Sequence, residues 1–180
     1  LEINPENVEI NIDSKDSSGG VVQIYGGGKN MFFPQKWYSG TIPWTKESFT
    51  FKTSGAASDN NYIRLGFWFA KGTIWFDDVR IREKDSIETM PKDRTIVPEV
   101  GLKQEINLLQ NGSFEDATST TNITNWSLPK SGISSIDDST SRDGKNSVRI
   151  IAEDMNEKLS VQQMPIPSFK PDTEYILTFF

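Results

Sequence analysis

The segment from Gly72 to Ile81 constrains this chain more than any other. Aromatic and β-branched residues crowd it and a Lys71-Gly72 turn precedes it, so it predicts a β-strand with two adjacent aspartates in its middle. Side chains on one strand face recur every second residue. That puts Trp75, Asp77, Val79 and Ile81 on one face and Ile74, Phe76, Asp78 and Arg80 on the other. If the first face meets the core, Asp77 is a carboxylate among apolar side chains, which is costly unless a cation or strong hydrogen bonds compensate it. The competing reading makes Asp77-Asp78 a solvated approach to a turn.

A chain of 180 residues suits one domain of moderate size or two small ones. Its formal net charge of −6 and its scattered basic residues argue against a nucleic-acid or anionic-membrane partner. Cysteine and histidine are both absent. This removes disulfides, thiolate metal sites and the usual imidazole base, and any metal is expected to be oxygen-bound. No apolar run of about eighteen residues is present, so no membrane-spanning helix is expected, and no signal peptide is read at Leu1. The arbitrary start and the stop within Phe179-Phe180 give the expectation of a piece cut from a longer protein.

Short alternating stretches follow one another along the chain. Val8 to Ile12, Val21 to Tyr25, Glu47 to Lys52 and Tyr62 to Phe69 read as strands. Gly26-Gly27-Gly28 reads as a loop and not a phosphate cradle, because no helix start follows it. Residues 85–104, charged and proline-punctuated without periodicity, read as a linker. Beyond it, Ser147 to Ala152, Leu159 to Met164 and Thr173 to Phe180 read as further strands, with Asp143-Gly144 a tight turn. Helical periodicity is convincing nowhere. The fold class expected is all-β, an antiparallel β-sandwich or jelly roll.

The Tyr62 to Phe69 stretch carries the functional argument. Ile63, Leu65, Phe67 and Phe69 are expected inward, leaving Tyr62, Arg64, Gly66 and Trp68 on the opposite face. Flat rings and a guanidinium beside a glycine gap suit a sugar chain, whose hydroxyls need amide and guanidinium partners. Tyr25 and Gln23 are candidate additions from a neighbouring strand, and Trp37, Tyr38 and Trp126 candidates for the loop edges. Trp44 and Trp75 are assigned to packing. The alternative is that the striped face packs under a loop.

The segments Asn107 to Glu115, Trp126, Asp143 to Arg149 and Thr173 to Leu177 together resemble the opening half of the β-jelly-roll carbohydrate-binding modules attached to bacterial xylanases and cellulases. These are the families numbered four, nine and twenty-two. Gly40 to Trp44, Phe49 to Phe51 and Gly72 to Val79 resemble the closing half. The closing half comes first: residues 1–84 resemble the end of one module and residues 105–180 the beginning of the next. The resemblance implies a structural calcium ion held by Glu115 and Asp77, with Asp78 as the alternative to Asp77.

Half a sandwich leaves an uncovered apolar face and long unpaired edges, so the two halves are expected to meet. They can do so within one chain, as a circularly permuted monomer, or between chains, as a swapped oligomer. The intrachain form is preferred for its higher effective concentration, and it places Ile10, Phe51, Phe67, Val148 and Tyr175 in one core. The expected function is non-catalytic binding of a polysaccharide or oligosaccharide for a secreted or cell-surface bacterial protein. The alternative is a structural spacer. A hydrolase using Glu115 and Asp77 is disfavoured, because those acids are better used on calcium.

Overall fold

The computed structural model describes residues 10–11, 18–26, 34–53, 60–84, 106–129, 133–156, 158–166 and 169–180. The expected linker, the outer residues of the first expected strand (Val8, Glu9 and Ile12) and Gly27-Gly28 lie outside them. In chain order the strands are β1 Ile10–Asn11, β2 Gly19–Tyr25, β3 Gln35–Tyr38, β4 Glu47–Lys52, β5 Tyr62–Trp68, β6 Lys71–Phe76 and β7 Arg80–Glu83. After residue 105 come β8 Ala117–Ser119, β9 Asn122–Ile123, β10 Ile133–Asp137, β11 Ser147–Ala152, β12 Lys158–Gln163 and β13 Glu174–Phe179. The described residues contain no α-helix, and every strand pairing is antiparallel. The fold is all-β and sandwich-like.

Three sheets carry the structure, in the orders β1-β6-β11-β10, β12-β5-β2-β3 and β4-β13-β7, beside a small β8-β9 ribbon. Each of the three joins strands from before residue 85 to strands from after residue 105. β6 pairs with β11, β5 with β12, and β13 lies between β4 and β7. Their inward faces share one apolar cluster: Val22, Leu65 and Phe67 from the second sheet, Ile74, Val148 and Ile150 from the first, Phe51, Tyr175 and Leu177 from the third. Of the five residues expected in a common core, Phe51, Phe67, Val148 and Tyr175 are there, and the side chain of Ile10 lies outside the described set.

The segment after residue 105 locks onto β7 through one side chain. Asn107 Oδ1 accepts the backbone N–H of Ile81 and of Leu109, both at 3.0 Å, while its Nδ2 donates to the Val79 carbonyl at 3.2 Å. Gly112 completes the approach: its carbonyl accepts the Val79 N–H at 2.9 Å, and a Cβ there would collide with the Val79 carbonyl oxygen. A side chain that mimics a strand backbone explains the asparagine, and close backbone approach explains the glycine.

Two local readings are corrected. The single strand expected over 72–81 is two strands in different sheets, β6 and β7, because the chain breaks at Asp77 and passes through a left-handed conformation at Asp78 (φ 48°). The alternation therefore changes phase. Ile74 and Phe76 meet the core before the break, and Val79 and Ile81 after it. Phe69, expected inward, is 42% exposed, because β5 ends at Trp68 and Phe69, at φ 53°, lies in the turn that carries the chain from β5 into β6 of another sheet, with Ala70 buried in its place.

Candidate functional site

The outward face of the β12-β5-β2-β3 sheet gathers most of the expected ligand-binding residues. Parity within β5 works as the alternation predicts: Ile63, Leu65 and Phe67 are fully buried, and Tyr62, Arg64 and Trp68 are half-buried on the other face. Register then builds the face across strands. Gln162 lies opposite Arg64, Arg64 opposite Gln23, and Gln23 opposite Gln35, so one polar row crosses all four strands. Gln23 Nε2 donates to Gln35 Oε1 at 3.1 Å within that row.

Aromatic pairs flank the row. Tyr62 and Tyr25, opposite one another in register, stack with centroids 4.5 Å apart and planes 9° apart. Trp68 and Trp37 meet edge-on at 5.5 Å. Val21, opposite both Gly66 and Trp37, is fully buried. The cations of this face rest on its rings: Arg64 Cζ lies 4.7 Å from the Tyr62 centroid and Lys158 Nζ 4.3 Å from that of Trp68. Such contacts fix both the ring and the cation in place.

Gly66 is required here, but not as a gap for a ligand. A Cβ on it would collide with the carbonyl oxygen of Leu159 and crowd the Ser160 backbone, so its absence lets β12 approach β5. Gln35, Gln162 and Lys158 escaped the sequence reading, because a single chain shows which residues share a strand face and not which strands lie side by side.

Two candidates belong elsewhere. Trp126 is 6% exposed, packs on Phe114 at 5.0 Å and donates its indole N–H to the carbonyls of Gln110 and Asn111 at 3.2 and 3.0 Å. It is a core residue and cannot line a binding edge. Tyr38 points to the opposite face from Trp37 and meets Phe179 edge-on at 6.0 Å. There burial, with the Glu47 carboxylate beside it, pushes its hydroxyl well above the usual phenol range. Tyr38 and Trp44 help line a separate apolar groove with Ile42, Pro43, Phe179 and Phe180, which shares no residue with the ring-bearing face.

Asp77 is fully buried, at the break between β6 and β7 and not on the core face of a continuous strand. Its compensation comes from backbone amides: Oδ2 accepts the N–H of Arg142 at 2.7 Å and of Asp143 at 2.8 Å, and Oδ1 that of Asp78 at 2.6 Å. Burial pushes its carboxyl above the ordinary range, and these three donors pull it part of the way back. Glu115 holds the same loop, its Oε1 accepting the N–H of Lys145 and Asn146 at 2.9 Å each. Asp78, the alternative, accepts Arg80 Nε at 2.6 Å.

Both expected metal ligands thus converge on one loop, residues 142–146. As arranged, backbone amides take the place of a cation at Asp77 Oδ2 and Glu115 Oε1, and an ion at Asp77 Oδ2 would have to displace the Arg142 and Asp143 amides. Among the described residues no group of three or more acidic side chains is placed to hold a metal ion.

A second buried carboxylate was not singled out by sequence. Asp137 accepts the Trp75 indole N–H at 2.8 Å and the Ser139 hydroxyl and amide at 2.5 and 3.0 Å, with Arg149 at 3.5 Å. Burial alone would raise its pKa, but these partners together hold it below the usual range. The network ties β6 to β10 across β11 and lies on a different sheet from the aromatic face. Compared with known proteins, the chain matches no family model, no curated protein and no solved structure.

Proposed function

We propose that this chain is a non-catalytic carbohydrate-binding domain that takes a polysaccharide or oligosaccharide chain across the outward face of the β12-β5-β2-β3 sheet. One observation carries the reading: Gln162, Arg64 and Gln35, in a row with the buried Gln23 that holds Gln35, are flanked by the Tyr25/Tyr62 stack and the Trp37/Trp68 pair. Amide and guanidinium groups match sugar hydroxyls, and ring faces match the apolar faces of pyranose rings. The resemblance to jelly-roll carbohydrate-binding modules, with their halves in permuted order, agrees with the interleaving of early and late strands in all three sheets. On this reading the protein serves a secreted or surface-located bacterial assembly.

The mutual packing of the rings favours a second reading. Tyr25 and Tyr62 cover one another, and Trp37 and Trp68 are only half-exposed, which suits a spacer domain whose aromatic face is structural. Affinity electrophoresis over neutral and uronic-acid polysaccharides separates the two. Retardation by at least one polymer, abolished in Trp68→Ala and Tyr62→Ala proteins that keep the wild-type circular dichroism spectrum, supports binding. Unchanged mobility on every gel supports the spacer.

A further inference from the structure

We infer that the aromatic face selects an acidic glycan, reading sugar carboxylates with Arg64 and Lys158; this rests on the binding reading above and names its substrate class. The chain has 25 acidic and 19 basic residues, yet the four strands of this sheet contain no aspartate or glutamate and three cations, Lys36, Arg64 and Lys158. Lys36 is on the opposite face and ion-paired with Glu47. The two cations of the aromatic face have no ion-pair partner among the described residues. An acidic protein that keeps the strands of one sheet clear of carboxylates and places two cations on its ringed face presents an anion with partners there.

The state of Arg64 sharpens the argument. Its guanidinium is held over Tyr62, and its Nε is buried without a hydrogen-bond acceptor among the described residues. Nε is the inaccessible end of the group; the terminal nitrogens, which make no ion pair among the described residues, are the donors a carboxylate could meet, its planar fork matching the guanidinium edge. The glutamines on either side, Gln23 and Gln162, bring neutral amides only; Gln23 is committed to Gln35 and Gln162 Nε2 donates to Ser160 Oγ at 3.0 Å. Lys158 lies opposite Trp68, four strand positions from Arg64, roughly 13 Å along the face at the usual strand rise. The two cations are therefore spaced along the strand direction to meet separate sugar units of one chain.

The test uses the whole chain against polygalacturonate and alginate, each beside its carboxyl-reduced neutral counterpart, by affinity electrophoresis and calorimetry at low and high salt. Expected are binding to the acidic polymers at least about tenfold tighter than to their reduced forms, weakening with salt, and loss of that preference in Arg64→Gln and Lys158→Gln. Equal binding to acidic and reduced polymers overturns the selectivity and leaves carbohydrate binding standing. Binding to none of them, with none on the neutral panel, overturns both. Salt dependence and the reduced polymers are read on the wild-type protein, so the outcome stands even where a variant misfolds.

Discussion

The Asp77 carboxylate accepts the backbone N–H of Asp143 at 2.8 Å, a bond between residues 66 positions apart in the chain. With its bonds to Arg142 and Asp78, it makes one buried side chain the anchor for the loop that follows β10. Asp77→Ala leaves these amides without their acceptor, and a loss of about 3 kcal/mol is expected in urea unfolding. Asp77→Asn, whose single carbonyl oxygen can still take two of them, falls between. An alanine variant as stable as the wild type would remove this role.

Asp137 and Asp77 titrate with opposite effect. The carboxyl of Asp137 is held below its ordinary range, so its contribution is complete above the unfolded-state pKa near 4 and is lost as pH falls through the folded value. The stability gap between wild type and Asp137→Asn should be full at pH 7 and close below about pH 4. Asp77 is raised, so its contribution is greatest below about pH 4 and declines as pH rises through its folded value. Denaturant unfolding at a series of pH values reads both signs, and a gap for Asp137→Asn that widens in acid would contradict the network around Trp75.

Gly66 and Gly40 separate two reasons for a glycine. At Gly66 the obstacle is backbone, the Leu159 carbonyl, which cannot swing aside. Gly66→Ala should cost about 3 kcal/mol and loosen amide exchange protection along β12. At Gly40 nothing lies within 4 Å, and the cost comes from φ +77° alone. Gly40→Ala should cost about 1 kcal/mol and leave β12 protected.

Calcium should not stabilise this fold. The acceptor oxygens of Asp77 are engaged by N–H donors, and Glu115 Oε1 by two more. Protein stripped with a chelator should melt at the same temperature with and without millimolar calcium. A rise of several degrees, lost in Glu115→Gln, would instead place a cation among these groups in exchange for the loop amides.

Much of the fold could be read from alternation. The inward set of β5 and the meeting of Phe51, Phe67, Val148 and Tyr175 follow from period-two patterning and the need to cover apolar faces, whereas Asp77 is buried at the break between β6 and β7, out of phase with Ile74 and Phe76. What failed did so at turns. Nothing in Trp75-Phe76-Asp77-Asp78 marks a left-handed Asp78, so the change of sheet and of phase after Phe76 was invisible, as was the reversal that exposes Phe69. The shared face was legible strand by strand: Tyr62, Arg64, Trp68, Gln23 and Tyr25 were within reach because each lies on a patterned strand. Gln35, Gln162 and Lys158 join them only through register between distant segments. Trp126 was misassigned because a loop-rich flank looks exposed, while its indole N–H had two carbonyls to bind.

The interleaving of strands sets a condition on biosynthesis. β13 is the middle strand of its sheet, so β4 and β7, made early, have nothing to bridge them until residue 179 has left the ribosome, and β5 must likewise wait for β12. Between the synthesis of β4 and that of β13 the apolar faces of the early strands lack their partners, and the pairings that then close join distant segments, which is slow. The order of the strands thus fixes how long those faces must wait to be covered.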